Sequence, residues 1–297
     1  MLEQASEAGQ VAGVPRYLHT AVSAGLVGGG IQLSRTPRMH EAEARAQGFV
    51  MNYHLFDTDA GHHGQSLADL LDITESQGFV GLNITYPHKI AVIQHLDTMS
   101  DAAQKLGAVN TVVFRDGKRS GHNTDMWGFA ESFRRGMADA PRDRVLLIGA
   151  GGAGVAVAHA LLECGVRQLL VADTDRARAQ ALVSRLDAVH PGRAASAEAD
   201  TALRDGVDGL VNATPVGMAK CPGIPCSVAL LRPETWVADI VYFPLETALL
   251  AAARKLGCRV LPGSGMAVFQ AVRAFELFTG RRADASRMMA TFNSFSP

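Results

Sequence analysis

Residues 145–154 read VLLIGAGGAG, and this stretch decides the fold of the second half of the chain. Its aliphatic part predicts a buried strand, and the following Gly149-Ala150-Gly151-Gly152-Ala153-Gly154 matches the GxGxxG pattern. The first glycine permits a tight turn, the second lets the backbone approach a pyrophosphate, and the third lets strand and helix pack closely. Because the loop opens a helix, whose N-terminal N–H groups attract phosphates, the stretch predicts a dinucleotide site.

The next predicted strand ends at Asp173, which lies 24 positions after Gly149. An acidic residue at about this spacing accepts hydrogen bonds from the adenosine ribose hydroxyls. A 2'-phosphate would place further negative charge against Asp173, so the sequence favours NAD over NADP. Arg178, like its neighbour Arg176, could stack on adenine, contact a phosphate or lie in solvent at a helix start.

Strands and helices alternate on both sides of this loop. Downstream, residues 209–212, 236–241 and 259–261 predict further strands, which together indicate a doubly wound parallel sheet. Upstream, residues 24–28 and 79–84 predict strands, and helices are expected from Thr36-Pro37 to residue 46, over 66–77 and over about 90–99. Asp116-Gly117 predicts a hairpin turn. The whole chain is therefore expected to be α/β.

Composition narrows the class of partner. The 297 residues carry 28 Lys and Arg against 29 Asp and Glu, and a net charge of -1 indicates neither nucleic acid nor an anionic membrane. The N-terminus lacks a signal-peptide or anchor pattern, and the four cysteines form no metal-binding spacing, so no metal site is expected. Cys221 and Cys226 are interpreted as thiols in a loop. A cytoplasmic protein with a small-molecule substrate fits these features.

Polar segments follow the predicted strands of the first half. They are Ser34-Arg35-Thr36-Pro37, Asn83-Ile84-Thr85-Tyr86-Pro87-His88-Lys89 and Gly121-His122-Asn123-Thr124-Asp125. Together with Ala108-Val109-Asn110-Thr111, the glycine loop and segments 212–218 and 239–247, they occur in an order that resembles the shikimate/quinate dehydrogenase family. The resemblance runs from about Gly25 to the C-terminal helices and leaves out only the N-terminal extension.

The resemblance implies a catalytic lysine and aspartate, which fall on Lys89 and Asp125. Oxidation of a secondary alcohol requires loss of a hydride and a proton, and a positioned amine can exchange that proton. Asp125 would orient Lys89 and the substrate hydroxyl. Two roles for Lys89 stay open at this point, as the base itself or as a group that acts mainly through charge and hydrogen bonding.

The same resemblance implies the residues that hold the ligands. Ser34 and Thr36 would bind a substrate carboxylate through their hydroxyls, although both could instead cap the following helix. Contacts with ring hydroxyls fall on Thr85, Asn110 and Gln270, and Tyr242 is expected at the mouth between the domains. Besides the glycine loop, Asp173 and Arg178, the expected cofactor contacts are Thr214, Pro215, Gly263 and Met266.

Within the family, Ser-Arg-Thr at 34–36 resembles the NAD-linked quinate/shikimate branch, because shikimate-specific members more often carry a second serine there. The implied reaction is reversible, NAD-dependent oxidation of the ring hydroxyl of quinate or shikimate to the 3-dehydro ketone. Three alternatives stay open: an NADP-dependent, shikimate-specific biosynthetic dehydrogenase, another two-domain Rossmann oxidoreductase, and a non-catalytic NAD-binding regulator on the same scaffold.

The expected architecture is an N-terminal three-layer α/β substrate domain plus a Rossmann-type doubly wound NAD-binding domain. Residues 1–23 are expected to be an extension, 24–125 the substrate-binding catalytic domain and 126–262 the NAD-binding domain. Residues 263–297 are expected to form helices that return to the substrate domain. The protein is expected to be a monomer or a homodimer.

Overall fold

The structure is a computed structural model that describes residues 21–59 and 66–294. The N-terminal extension expected from the sequence therefore lies almost wholly outside the described residues. Within them, no helix combines the length and the apolar character needed to cross a membrane.

The first half of the described chain forms a mixed sheet. Its strands are β1 (Val22–Gly28), β2 (Met51–Asp57), β3 (Gly81–Ile84), β4 (Thr98–Met99), β5 (Thr111–Arg115) and β6 (Lys118–His122). They lie in the order β2-β1-β3-β5-β6-β4, in which the first three are parallel and β5 runs antiparallel to both neighbours. The predicted hairpin is present, and both Asp116 and Gly117 have positive φ, as this tight turn requires.

Helices accompany these strands. They are α1 (Thr36–Ala46), α2 (Leu67–Ser76), α3 (Asp101–Leu106) and α4 (Thr124–Gly136). The predictions for α1 and α2 are confirmed, and Ser66 forms a capping box with Asp69 at the start of α2. The helix expected over 90–99 is wrong. A short 3-10 helix at Ala91–His95 ends at Leu96, whose extended backbone leads into β4.

The second half forms a parallel sheet. Its strands are β7 (Arg144–Ile148), β8 (Gln168–Ala172), β9 (Ala194–Ser196), β10 (Gly209–Asn212), β11 (Trp236–Asp239) and β12 (Val260–Leu261). The order β12-β11-β10-β7-β8-β9 places the chain reversal between β7 and β10, which is the arrangement of a dinucleotide-binding sheet. The connecting helices are α5 (Gly152–Glu163), α6 (Arg176–Asp187), α7 (Ala199–Asp205) and α8 (Ala248–Lys255). Sequence patterning missed β9, α7 and α8, which are short.

The last two helices are α9 (Ser264–Thr279) and α10 (Ala285–Asn293). α9 packs along α4, and Phe275 and Phe278 of α9 are buried in the core of the first sheet beside Val22 and Ala24 of β1. α10 packs on α1 and α9, where Phe292 is buried. The last two helices therefore pack with the first sheet and α1, and not with the second sheet alone.

Glu43 of α1 ties α10 to the first sheet. Its side chain has no exposed surface, and its carboxylate accepts hydrogen bonds from Nε and Nη2 of Arg287 at 2.6 and 2.9 Å. Burial acts to raise the pKa of Glu43, but hydrogen bonds from Arg287, the Asp284 N–H and Gln47 outweigh this effect and hold the pKa below its ordinary value.

His40 of α1 is a buried imidazole without a hydrogen-bond partner for either ring nitrogen among the described residues. Its ring lies 4.8 Å from that of Tyr53, and the rings of Phe275 and Phe278 are also in contact. Burial lowers the pKa of His40 to about 3, although nearby Glu43 acts against this shift.

We expect His40 to make the folded protein sensitive to acid. The unfolded chain protonates this imidazole near its ordinary pKa of 6.5, whereas the folded protein does so only near 3. Below pH 6.5 the unfolded state therefore binds more protons, and the group lowers the free energy of unfolding by up to about 1.4 kcal/mol per pH unit. Denaturant titrations from about pH 7 to about pH 5 should show a shallower loss for His40→Phe. Equal slopes for the two proteins would contradict this assignment.

Candidate active site

The polar segments of the first sheet meet at the carboxyl ends of its parallel strands. Lys89 follows β3, Asp125 lies in the first turn of α4, and Lys89 Nζ is 2.6 Å from Asp125 Oδ2. The side chains keep 27% and 14% of their surface exposed, so the pair is recessed but open to a ligand. The bond is short and joins two charges, which makes it strong and directional.

The backbone on each side of this pair is fixed. The Val109 N–H donates to the Lys89 carbonyl at 2.8 Å, and the Asn123 side chain caps α4 by accepting from the Met126 N–H. Buried Asn110 accepts a hydrogen bond from the Thr124 N–H at 2.7 Å. The first turn of α4, which carries Asp125, is therefore held at the start of β5.

A buried chain of side chains lies behind Asn110. The Tyr53 hydroxyl donates to Asn83 Oδ1 at 2.6 Å, Asn83 Nδ2 donates to Thr111 Oγ1 at 2.9 Å, and Thr111 Oγ1 donates to Asn110 Oδ1 at 3.1 Å. Nothing in the sequence around Tyr53 indicates this role. Only the polarity of Asn83 within an apolar strand could have indicated that a buried partner was needed.

Ser34 and Thr36 stand at the start of α1, beyond the end of β1. The helix has Arg35 at its N-cap position with no side-chain cap, and Ser34 Oγ instead accepts from the Thr36 N–H at 3.3 Å. Neither hydroxyl therefore caps α1 from its N-cap position, as the sequence had allowed. The Thr36 hydroxyl makes no hydrogen bond within residues 21–59 and 66–294, which leaves it available for a ligand.

Asp57, at the end of β2, folds the loop that leads to Ser34. Its carboxylate accepts hydrogen bonds from the Gly30 and Ile31 N–H groups and from the Gln32 side chain, at 2.9 to 3.2 Å. Burial acts to raise the pKa of Asp57, but these bonds and one from the Asp59 N–H prevail and lower it.

Arg35 and Tyr242 meet at Phe292, a residue that no sequence pattern indicated. Arg35 Nη1 donates to the Phe292 carbonyl at 3.0 Å, and its guanidinium carbon lies 4.8 Å from the centre of the Phe292 ring. The Tyr242 ring packs edge-on against the same ring at 6.0 Å. Phe292 thus connects the Ser34–Thr36 segment with the loop that follows β11.

Tyr242 faces the Lys89–Asp125 pair. Desolvation raises the pKa of its hydroxyl, while Lys89 and Arg35 act to lower it and Asp125 acts to raise it. Tyr242 itself lies in the loop after β11 and keeps 46% of its surface exposed. The cleft between the two sheets therefore has the charged pair on one wall and a phenol on the other.

Gln270 and Met266 lie on α9 where it crosses α4. A Cβ added at Gly128, one turn after Asp125, would lie 2.7 Å from the Gln270 backbone nitrogen and 2.9 Å from the Met266 carbonyl. The absence of a side chain at Gly128 lets the two helices touch. Both predicted ligand contacts on α9 are thereby held beside the helix that carries Asp125.

The glycine loop is tightly packed at Gly154 and open at Gly151 and Gly152. A Cβ at Gly154 would lie 1.9 Å from the Gly149 carbonyl oxygen, whereas a Cβ at Gly151 or Gly152 would meet no atom of the described residues within 4 Å. α5 begins at this open side with Gly151 as its N-cap, and no described side chain caps it. The first N–H groups of α5 are thus available to a pyrophosphate, so the loop fits a dinucleotide.

Asp173 and Arg178 occupy different surroundings. Asp173 Oδ2 accepts from the Ala150 N–H at 2.7 Å and Oδ1 from the Asp175 N–H at 2.9 Å, which places the carboxylate against the glycine loop. Oδ2 keeps a second acceptor position for a ribose hydroxyl, whereas Oδ1 also accepts from the Thr174 hydroxyl at 3.4 Å. Arg178 is largely exposed and pairs with Asp175 at 3.3 Å.

The loops after β10 and β11 share a buried network. Asn212 accepts from the Thr214 hydroxyl at 2.7 Å and donates to Asp239 at 3.0 Å, and Thr247 donates to the other oxygen of Asp239 at 2.8 Å. Burial raises the pKa of Asp239 despite these bonds. Of the other predicted cofactor contacts, Pro215 is exposed next to this network and Gly263 packs against the Ile240 carbonyl.

Comparison with known proteins relates this cleft to one family. Residues 26–112 match a model described as the shikimate dehydrogenase substrate binding domain, and residues 263–291 match the shikimate 5'-dehydrogenase C-terminal domain. A Streptomyces avermitilis protein named shikimate dehydrogenase (NADP(+)) is 53% identical, over 90% of this chain and 93% of its own length. The chain belongs to the shikimate dehydrogenase family. Residues 124–184, which contain the glycine loop, match the model of the ThiF family.

Other relatives carry different names within the same family. A Corynebacterium efficiens protein named quinate/shikimate dehydrogenase (NAD(+)) is 51% identical, over 93% of this chain and 99% of its own length. The solved quinate dehydrogenase from Corynebacterium glutamicum in complex with NAD is 48% identical, with a TM-score of 0.89 over 93% of this chain and 99% of that one. The predicted family and α/β fold class are confirmed.

We expect two glycine variants to separate the roles of the loop. Gly154→Ala collides with backbone, so it should lower the Tm of the ligand-free protein by several degrees, an overpacking cost of about 1–3 kcal/mol. Gly151→Ala meets no atom and keeps an ordinary φ, so Tm should hold. Because its methyl lies where a pyrophosphate approaches, the Kd for NAD should rise at least about tenfold.

Thermal unfolding without ligand and NAD titration measure the two effects. An unchanged Tm for Gly154→Ala, or unchanged NAD binding for Gly151→Ala, would show that the loop is not used in this way.

Proposed function

We propose that this chain is an NAD-dependent dehydrogenase that reversibly oxidises the ring hydroxyl of quinate and shikimate to the 3-dehydro ketone. The observation that carries the proposal is the 2.6 Å Lys89–Asp125 pair, which is recessed but still exposed and whose two charges act on the Tyr242 hydroxyl. A dehydrogenase needs a proton acceptor at the alcohol and a cofactor next to it, and this cleft can provide both.

The reaction removes a hydride from carbon and a proton from oxygen, which leaves a ketone. NAD, when bound, accepts the hydride. We assign the proton to the Lys89–Asp125 pair, in which Asp125 holds the ammonium group by a charge-assisted hydrogen bond and so fixes its direction. Lys89 would either take the proton itself or stabilise the developing alkoxide until the pair releases the proton to solvent.

For substrate binding we propose that Ser34 and Thr36 hold the carboxylate and that Thr85, Asn110 and Gln270 contact the ring hydroxyls. The Thr36 and Thr85 hydroxyls make no hydrogen bonds to described residues, which supports a ligand role for both. Asn110 is buried and already exchanges hydrogen bonds with Thr124. It can therefore offer a ligand only the second N–H of its side-chain amide.

Quinate is proposed as a substrate on the strength of Thr36. Threonine differs from serine here by a methyl and by a restricted hydroxyl direction, and quinate carries an additional hydroxyl on the carbon that bears its carboxylate. The name of the Corynebacterium efficiens relative, quinate/shikimate dehydrogenase (NAD(+)), supports this choice.

The preference for NAD rests on Asp173, because relatives at 53% and 51% identity are named for different cofactors. The Asp173 carboxylate is held against the glycine loop by the Ala150 N–H, so a 2'-phosphate next to it would meet a fixed negative charge. Of the two nearby arginines, Arg178 pairs with Asp175, and Arg176 is exposed at the start of α6. The complex of the Corynebacterium glutamicum enzyme with NAD supports the same cofactor.

We also propose a cytoplasmic protein that is a monomer or a homodimer. All four cysteines are free thiols, which is compatible with a reducing compartment. Sedimentation of the purified protein measures the oligomeric state.

Lys89→Ala should abolish most turnover while NAD binding is kept. Loss of a positioned acid–base group costs on the order of 10²–10⁴ in kcat, and Lys89 lies on the substrate side of the cleft. Lys105→Ala is a matched control, because Lys105 is on α3 and forms only a 4.0 Å pair with Glu163. A Lys89→Ala enzyme with wild-type kcat would remove Lys89 from the mechanism.

Initial rates with quinate and shikimate, each with NAD and with NADP, test the reaction and the cofactor together. We expect NADH formation with both acids and a kcat/KM at least about tenfold higher for NAD than for NADP, because one unfavourable charge contact costs at least about 1.4 kcal/mol. Asp173→Ser removes the negative charge, so it should reduce the ratio of kcat/KM for NAD to kcat/KM for NADP. A wild-type preference for NADP would refute the argument from Asp173, and NAD binding without turnover of either acid would favour the regulator.

A further inference from the structure

Gly28, the last residue of β1, lies directly against Thr85. A Cβ added at Gly28 would lie 2.2 Å from Thr85 Cγ2 and 2.9 Å from the Tyr86 carbonyl oxygen. Gly28 is not among the glycines with positive φ, so its backbone does not demand glycine. The requirement at this position is therefore space, and the Thr85 methyl fills that space.

The contact is held on both sides by backbone hydrogen bonds. The Thr85 N–H donates to the Val27 carbonyl at 2.9 Å, and the Gly29 N–H donates to the Tyr86 carbonyl at 2.9 Å. Neither segment can therefore move away from the other without breaking a hydrogen bond. The space left by the missing side chain of Gly28 keeps a fixed size, and the part of Thr85 that occupies it is fixed as well.

Filling that space with the methyl decides the direction of the Thr85 hydroxyl. Threonine is stiff about χ1, because Cβ carries two heavy atoms and a methyl that is held in place fixes the oxygen too. The methyl, and not the hydroxyl, is the atom of Thr85 nearest to the Gly28 position. Thr85 is half-buried, and its hydroxyl makes no hydrogen bond to residues 21–59 or 66–294, so it is available to a ligand.

Thr85 is also connected to the catalytic pair. The His88 N–H donates to the Thr85 carbonyl at 2.8 Å and forms the turn that presents Lys89 immediately afterwards. A hydroxyl of defined direction at Thr85 is therefore placed on the same turn as the ammonium group that acts on the substrate.

We propose that Gly28 is a positioning residue, which sets the rotamer of Thr85 and thereby the recognition of a substrate ring hydroxyl. This inference rests on the proposed function, because it concerns the affinity of the same site for the hydroxy acid. Gly28 has no side chain of its own to offer a ligand, and its closest approach is to the Thr85 methyl. Substitution of Gly28 should therefore change the KM for the acid and not the KM for NAD.

The experiment compares four variants with the wild type: Gly28→Ala, Thr85→Ser, the double variant Gly28→Ala/Thr85→Ser, and Gly25→Ala as the control. Steady-state kcat and KM are measured for quinate and shikimate and for NAD. Gly25 is in the same strand and lacks a positive φ, and its added Cβ would crowd Phe56 and Leu82, which are not part of the proposed site. It therefore reports on distortion of β1 alone.

Gly28→Ala should raise the KM for the acid at least about tenfold, with the KM for NAD within about twofold of the wild type, since one misdirected hydrogen bond costs roughly this much. Thr85→Ser keeps the hydroxyl but loses the methyl that orients it, so its KM should rise about threefold. Because serine has no Cγ2, the double variant loses the 2.2 Å clash and keeps only the 2.9 Å approach to the Tyr86 carbonyl oxygen, so its KM should fall clearly below that of Gly28→Ala.

Four results would overturn the inference while the wild type turns over: an unchanged KM in Gly28→Ala, an equal rise in Gly25→Ala, no change in Thr85→Ser, or a double variant no better than Gly28→Ala. If Gly28→Ala fails to fold, Thr85→Ser and the double variant still decide. Failure of the proposed function differs from all of these, because the wild type itself would then form no NADH with either acid.

Discussion

The hydrogen bond from the Thr124 N–H to Asn110 is the contact on which the arrangement of the cleft depends. It joins the start of α4 to the start of β5, and both partners are almost fully buried. Asp125 is the next residue, so its carboxylate reaches Lys89 only because the helix begins at this point. Water cannot replace a bond in such a site, and an unmet donor there would be costly. The same helix carries Gly128, where α9 makes its closest approach.

A buried carboxylate fixes a loop on each side of the cleft, and the two carboxyl groups have pKa values shifted in opposite directions. Asp57 accepts several N–H bonds, which lower its pKa and keep it ionised as it folds the loop before Ser34. Asp239 accepts bonds from Asn212, Thr247 and the Val241 N–H, yet burial still raises its pKa. Neither side chain is proposed to touch a ligand. Each fixes a loop whose own side chains are proposed to touch one, and this is why these loops can be irregular and still well defined.

The sequence predicts the parts of this structure that depend on local pattern. The glycine loop, the strands around it and the Asp116-Gly117 hairpin follow from turn chemistry and apolar runs, and the order of the polar segments indicated Lys89 and Asp125. What it could not give depends on distant residues. The segment after Ile90 is apolar enough for a helix, but β4 pairs with β6 and takes its last residues. Phe292 and Tyr53 act through partners far away in the chain, which no local pattern encodes.

The return of α9 and α10 to the first sheet has a consequence for how the molecule is made. Arg35 and Phe292 are 257 positions apart and form a direct hydrogen bond, and Phe275 and Phe278 complete a core that begins with β1. A ribosome delivers the N-terminal strands first, at about 5–20 residues per second, so roughly ten seconds or more pass before their partners emerge. During that time the apolar face of the first sheet stays uncovered, whereas the second sheet has all its strands before α9 appears. The unit that is translated first is thus the one that finishes folding last.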